Sequence, residues 1–169
     1  MEFFGKPPQA IHEGPGWKTS LWSHVVESSP TTGRKTLFLA SCVEGDVSFE
    51  GSQTVETFFR DKVENYPAGP PEDLVALHDW THITNIDAMK SRTIFSSFIK
   101  QHKSMHRAIA IHLNLSGKFL GGSLIDAVLS GISFFFKNLI GKYDNPEDFA
   151  RRVGELEKQY AGKKLTSFS

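Results

Sequence analysis

The chain has 169 residues, of which 39% are hydrophobic and 22% charged, and its 19 basic residues balance 19 acidic ones. This length and composition predict one soluble globular domain with a sizeable core. The neutral charge argues against nucleic acid or an anionic membrane surface as a partner. The single cysteine, Cys42, cannot form an internal disulfide, and no signal-peptide pattern opens the chain, so we expect a cytoplasmic protein.

The first third of the chain predicts an arm followed by a hairpin. Residues 1–18 contain three prolines and three glycines without periodicity, which predicts an extended N-terminal arm. Thr19 to Glu27 and Leu37 to Val43 have strand composition, and the turn-forming segment Ser28 to Gly33 separates them. These segments predict an antiparallel hairpin, and Glu44 to Asp46 should end its second strand.

A helix is predicted next, with Ser48 or Ser52 as its N-terminal cap. Its apolar residues recur at offsets of three and four, which is typical of one buried helical stripe. These residues are Val55, Phe58, Phe59, Val63 and Tyr66. A proline- and glycine-rich breaker at residues 67–71 ends the helix.

The central stretch predicts a strand, a helix and a second strand in about forty residues. Leu74 to Leu77 and Ala108 to Leu113 are the two apolar runs, and a stripe around Phe95 and Phe98 lies between them. Asp87 precedes that stripe and can cap the helix. Such a unit predicts that the two strands are parallel.

The last third is interpreted as helix, strand and helix. Gly117 to Gly131 should form a short helix that stops at Gly131, and Ile132 to Phe136 should form a buried strand. The Asn145-Pro146 pair marks a further helix start, and the helix should extend to about Tyr160. The remaining residues, 161–169, form a polar C-terminal tail.

The whole chain therefore predicts an α/β fold with the order β-β-α-β-α-β-α-β-α over residues 19–160. The sheet should be mixed, with its helices mainly packed on one face. Neither an internal repeat nor a linker divides this region, so a single domain is expected.

This order resembles the STAS domain of anti-sigma-factor antagonists, and more closely the SpoIIAA-like group of small bacterial proteins. The string HDWTHITNIDAMKSRTIF, residues 78–95, carries the local resemblance, because a strand ends there and Asp87 opens a helix. In the family a serine after that aspartate is a regulatory phosphorylation site. Ala88 and Met89 follow Asp87 here, so the phosphoacceptor is missing, and the resemblance implies a fold and a recognition face around this helix.

Acid-base or metal chemistry was weighed for the region of His78, Asp79, His82 and Asp87, because strand ends in open α/β sheets commonly hold ligands. A zinc site needs three or four converging ligands, and neither HExxH nor a Gly-x-Ser-x-Gly elbow occurs. His102 and His106 are expected to complement a helix C-terminus as imidazolium ions. We therefore expect no metal, no cofactor and no catalytic residues.

Two further segments were considered. The glycine-rich turn at residues 117–123 has its lysine at the wrong end for a phosphate-binding loop. Leu120 to Ile140 is too interrupted by polar residues to span a membrane. The phenylalanines Phe119, Phe134, Phe135 and Phe136 could line an apolar pocket or a homodimer face, although a close-packed aromatic core is the commoner explanation for such residues.

The sequence thus predicts a non-enzymatic binding or regulatory module that recognises a protein partner or a small apolar ligand. The alternative is a hydrolase or metal-dependent enzyme that uses the histidines and aspartates of the central stretch. The candidate binding residues are His78, Asp79, Trp80, His82, Asp87, Lys90, Arg92, Phe119, Phe134 and Phe136.

Overall fold

A computed structural model of the protein describes residues 2–67, 69–114, 120–136 and 138–168. The strands in this part of the chain are β1 (Ala10–Gly14), β2 (Trp17–Val26), β3 (Thr36–Val47), β4 (Asp73–Ile86), β5 (His106–His112) and β6 (Ile140–Tyr143). The helices are α1 (Phe49–Glu64), α2 (Ala88–Gln101), α3 (Leu120–Phe135) and α4 (Pro146–Ala161).

The strands form one sheet in the order β1-β2-β3-β4-β5-β6. The pairs β1–β2 and β2–β3 are antiparallel, whereas β3–β4, β4–β5 and β5–β6 are parallel. The predicted mixed sheet, the hairpin of β2 and β3 and the parallel pair β4 and β5 are therefore confirmed.

The two faces of the sheet carry separate cores, because successive residues of a strand point to opposite sides. Leu74 and Ala76 of β4 belong to the core covered by α1, α2 and α3. Val75 and Leu77 belong to the core covered by α4 and by Phe3 near the N-terminus. Helices thus lie mainly on one face, as the sequence predicted.

The predicted helix caps are also confirmed. The side chain of Ser48 accepts a hydrogen bond from Gly51 N, and that of Asp87 accepts one from Lys90 N. Asn145 accepts from two backbone N–H groups in the first turn of α4. Each oxygen satisfies N–H groups that the helix itself leaves unpaired.

Strand β1 lies inside the segment for which an extended arm was predicted. Its five residues pair with β2, and Phe3, Phe4 and Trp17 are buried. At the other end of the chain, the buried carboxylate of Glu157 accepts hydrogen bonds from the hydroxyl and the N–H of Thr166. Phe4 N donates to the same hydroxyl, so both termini are fixed to one face of the sheet.

The prediction that Glu44 to Asp46 ends the second hairpin strand is wrong. Strand β3 continues to Val47, with register shifts between Cys42 and Glu44 and between Gly45 and Asp46. Gly45 has a φ of 86°, and a Cβ built there would lie 2.1 Å from the carbonyl oxygen of Gly16. Glycine therefore permits a close approach of two backbones here, and it does not break the strand.

The prediction of a buried strand at Ile132 to Phe136 is also wrong, because α3 runs through Gly131 to Phe135. The buried residues Ile125, Val128, Leu129 and Ile132 continue one helical stripe across the glycine. Gly131 leaves room for Arg92 of α2, whose side chain would lie 3.0 Å from an added Cβ. The last strand follows later, at β6.

Among the helices of the described residues, none combines the length and the apolar character needed to cross a membrane.

Candidate functional site

Residues 78–81 of β4 alternate between the two cores, and this alternation separates the predicted site residues. His78 stacks on Phe59 of α1 and Trp80 lies against Phe95 of α2, on the face covered by three helices. Asp79 lies on the other face, where its carboxylate oxygen is 3.6 Å from His112 Nδ1. Residues that are adjacent in the sequence therefore lie on opposite faces of the sheet.

A cavity of about 30 Å³ lies between the sheet and helices α2 and α3, and we refer to it as the inner cavity. His78 and His106 are the polar residues among its described lining residues. The others are Phe59, Ala76, Trp80, Phe95, Phe98, Ile99, Ile109, Ile111, Leu129, Ile132 and Ile140. At this volume the cavity has room for one or two water molecules.

A short hydrogen-bond chain holds His78 in the wall of the inner cavity. Trp80 Nε1 donates to Ser41 Oγ at 3.1 Å, and Ser41 Oγ lies 2.8 Å from His78 Nδ1. The indole N–H donates to the Ser41 hydroxyl, and the same hydroxyl also forms the hydrogen bond to His78 Nδ1.

A backbone carbonyl sets the tautomer of His106. Its Nδ1 lies 3.0 Å from the carbonyl oxygen of His102, which can only accept, so Nδ1 carries the proton and Nε2 is an acceptor. Among the described residues, neither His78 Nε2 nor His106 Nε2 has a hydrogen-bond partner.

Both imidazoles are neutral because burial disfavours their charged forms. Burial lowers the pKa of His78 to about 3, and the nearby His106 adds to this effect. Burial likewise lowers the pKa of His106 to about 4. The pKa of His102, at the end of α2, is also lowered by burial, so the prediction that His102 and His106 act as imidazolium ions at a helix end is wrong.

An open pocket of about 230 Å³, the outer pocket, lies beside the inner cavity near the carboxyl end of β4. Its described lining residues are Trp80, Thr81, His82, Ile83, Thr84, Asn114 and Ile125. Trp80 lines both spaces. The outer pocket also lies where ligands of open α/β sheets usually bind.

On the opposite face of the sheet, the side chain of Asp79 forms hydrogen bonds within its own strand. Its carboxylate accepts hydrogen bonds from the N–H and the hydroxyl of Thr81. The ring of His112 stacks on Phe149 at 5.0 Å, and burial lowers its pKa. Burial, reinforced by the charge of Asp79, raises the pKa of the Cys42 thiol to about 12, which favours the protonated thiol.

The predicted residues of α2 lie on its outer surface. Lys90 Nζ is 3.8 Å from a carboxylate oxygen of the capping Asp87 and 5.5 Å from the ring centre of Phe49. Met89, which precedes Lys90 in the sequence, is 75% exposed. Arg92 lies across Gly131 of α3, so it bridges two helices.

The predicted phenylalanines do not line the inner cavity together. Phe134 is 72% exposed on α3, and Phe136 is half-buried against the core below the three helices. Phe119 lies outside the described residues.

The structure therefore brings His78 and Trp80 together and places His82 beside them in the outer pocket. Asp79 and Asp87 lie elsewhere, and no three potential metal ligands converge among the described residues. Sequence reasoning missed Ser41 and the contribution of His106. Ser41 pairs with His78 across the parallel strands β3 and β4, a register that no local pattern reveals.

No family model matches this chain, and no curated protein matches it. Among solved structures, the chain is similar to an uncharacterised protein of the DUF3478 family with a SpoIIAA-like fold from Shewanella loihica PV-4. The two share 14% sequence identity at a TM-score of 0.48, over 79% of this chain and 94% of that chain.

Proposed function

We propose that this chain is a non-enzymatic binding module that holds a small apolar molecule between the sheet and helices α2 and α3. The inner cavity carries the proposal, because aromatic and branched side chains surround it and only two neutral imidazoles interrupt them. Small-molecule sites are commonly apolar with a few placed polar groups.

The size of the ligand follows from the two adjoining spaces. The inner cavity alone is too small for a benzene ring, which occupies a cavity of roughly 150 Å³. The outer pocket is large enough, and Trp80 separates it from the inner cavity. A ring-sized ligand would therefore enter beside Trp80 and displace the indole from its hydrogen bond to Ser41.

Two placements support the non-enzymatic part of the proposal. His78 is 6% exposed and its Nδ1 is held by Ser41, on the face opposite to the carboxylate of Asp79. The thiol of Cys42 is held protonated. A general base needs a reacting proton within reach, and a nucleophile needs an activating neighbour.

Toluene titration followed by NMR would test the proposal, with Ala76→Val as the blocking variant. Ala76 lines the inner cavity, so two added methyl groups should fill it and abolish binding. Ala110→Val is the matched control, because Ala110 is equally buried in β5 but faces the opposite core. Wild type and the control should bind toluene with shifts at Phe95 and Phe98. Equal binding by the Ala76→Val protein, or no binding by wild type, would contradict the proposal.

A second candidate function is recognition of a protein partner through the surface of Phe49, Met89 and Lys90. The observation in its favour is that Met89 is exposed and that the ammonium group of the next residue, Lys90, lies over the partly exposed ring of Phe49. Capture from native lysate with Met89→Asp and Lys90→Glu, against Lys100→Glu as control, would test it. The first two variants should lose the same partner, and identical partner lists for all three would count against this surface.

A further inference from the structure

Strand β1 forms one edge of the sheet and leaves backbone groups open to a further strand. It is the outermost strand and pairs with β2 in a regular register from Ala10 to Gly14. In an antiparallel pair, alternate residues direct their N–H and C=O groups away from the neighbouring strand. Among the described residues, no other segment forms a backbone hydrogen bond with this outer side of β1. The outer side of β1 is therefore a template for strand addition.

The neighbouring parts of the same edge are closed. Where β2 extends beyond β1, the side-chain amide of Gln9 donates to Ser23 O at 3.1 Å and accepts from Ser23 N at 3.1 Å. This amide takes the place of a neighbouring strand. Pro8 lies shortly before β1 and Pro15 directly after it, and proline cannot donate to a strand ladder. The open stretch is therefore limited to the five residues of β1.

A groove of about 560 Å³ lies between β1 and helix α1, and we refer to it as the α1 groove. Its described lining residues are His12, Glu50, Gln53, Thr54, Thr57, Phe58 and Asp61. This lining contains two carboxylates and neither lysine nor arginine. The ammonium group of Lys62 lies 3.7 Å from Asp61, whereas Glu50 has no ion pair among the described residues. The α1 groove therefore favours positively charged side chains.

The two faces of β1 differ in character. His12 lines the α1 groove, and Ala10, two residues earlier, packs against the core covered by α1, α2 and α3. Ile11 therefore points to the opposite face, where it is 53% exposed. Glu13 shares that face and is 3.6 Å from Lys18. A strand added to β1 alternates in the same way, so one set of its side chains meets the acidic groove and the other meets Ile11.

We propose that β1 and the α1 groove bind an extended segment of a partner protein in which basic and apolar residues alternate. The segment pairs with the open edge of β1, its basic side chains approach Glu50 and Asp61, and its apolar side chains cover Ile11. In strand addition of this kind, backbone hydrogen bonds give affinity and side-chain sites give specificity. The α1 groove and the inner cavity share none of their described lining residues, so this inference does not depend on the apolar ligand.

The probe is the acetylated and amidated peptide (Lys-Val)₄, titrated into wild type at pH 7.5 and followed by NMR. The peptide (Glu-Val)₄ reverses the charge, and (Lys-Pro)₄ keeps the charge but cannot form a strand ladder. (Lys-Val)₄ should bind about tenfold more tightly than either control peptide. Amide hydrogen exchange should show that alternate N–H groups of β1 become protected by (Lys-Val)₄ and remain unprotected with (Lys-Pro)₄.

Variants of the two faces test the side-chain contacts. Glu50→Gln combined with Asp61→Asn should weaken (Lys-Val)₄ binding about tenfold, as expected for the loss of two exposed ion pairs. Glu147→Gln is the matched control, because Glu147 is likewise an exposed acid in the first turn of a helix but lies in α4, and it should keep wild-type affinity. Ile11→Thr keeps a β-branched side chain and should weaken binding about threefold.

Failure of (Lys-Val)₄ to bind wild type, or binding that leaves the β1 amides unprotected, would overturn the proposal. Equal binding of (Lys-Pro)₄ would show that charge alone attracts the peptide, and equal binding of (Glu-Val)₄ would show that the groove does not select basic residues. Either result overturns the proposal. If the double variant of Glu50 and Asp61 does not fold, the comparison of (Lys-Val)₄ with (Glu-Val)₄ on wild type decides the role of charge.

Discussion

Lowering the pH from 7 to 5 should weaken the fold through the two imidazoles of the inner cavity. Burial lowers the pKa of His78 to about 3 and that of His106 to about 4. In the unfolded chain each imidazole has an ordinary pKa of about 6.5. Between these values the unfolded chain binds protons that the folded chain does not. The free energy of unfolding therefore falls as the pH falls through this window.

The magnitude follows from the linkage relation. At pH 5, an imidazole of pKa near 6.5 in the unfolded chain is mostly protonated, which favours unfolding by about 2 kcal/mol. At pH 7 the same term is only about 0.2 kcal/mol. Both rings stay largely neutral in the folded protein at pH 5, so they act independently, and their joint effect is about 4 kcal/mol.

Urea unfolding at the two pH values would measure this effect. His24, His102 and His112 also have pKa values lowered by burial, so the comparison of variants isolates one ring. The titratable groups that interact electrostatically with His106 are His78 and His102. The charges of Glu56, Glu64 and Arg60 in turn affect the pKa of His102.

The difference in unfolding free energy between pH 7 and pH 5 should be about 2 kcal/mol smaller in His106→Leu than in wild type. His12→Gln, at an exposed position of β1, should keep the wild-type difference. An unchanged difference in His106→Leu would refute the neutral, buried state of this ring.

Three further changes test the packing of the fold. Phe98→Ala should lower the free energy of unfolding by roughly 3–5 kcal/mol, because Phe98 lies on the buried face of α2, and a negligible loss in chemical denaturation would refute that placement. Asp73→Asn should cost roughly 3 kcal/mol in the same assay, because the buried carboxylate accepts hydrogen bonds from Arg34 and Arg107, and a wild-type midpoint would contradict this. No phosphate should appear on Ser91 after incubation with cell extract and ATP, because its hydroxyl is buried 2.6 Å from that of Ser52. A phosphopeptide at that position would count against this.

Local chemistry made much of the fold predictable. The caps at Ser48, Asp87 and Asn145 were recognisable because a short polar side chain before an apolar stripe satisfies the free N–H groups of the first turn. The parallel pair β4 and β5 followed from two apolar runs joined by one amphipathic helix.

The errors arose where tertiary contacts override local signals. Gly131 suggested a helix end, yet the stripe from Ile125 to Ile132 is buried and Arg92 of another helix occupies the space beside the glycine. Strand β1 was not predicted because prolines and glycines surround it in the sequence. Its pairing with β2 defines it as a strand.

The candidate site was only half predictable. His78 and Trp80 were named from the sequence because they follow an apolar run in a helix-flanked segment. The partner Ser41 lies 37 positions earlier and meets His78 only through the register of β3 with β4. His106 joins them through the neighbouring strand, so the cavity exists only once the sheet is assembled.

Native mass spectrometry after incubation with an organic extract of the source cells tests the central claim most directly. Wild type and Ala110→Val should carry a small molecule whose mass is released on denaturation, and Ala76→Val should carry none. A wild-type protein that remains at its bare mass, or equal loading of Ala76→Val, would contradict the claim that the inner cavity is a ligand site.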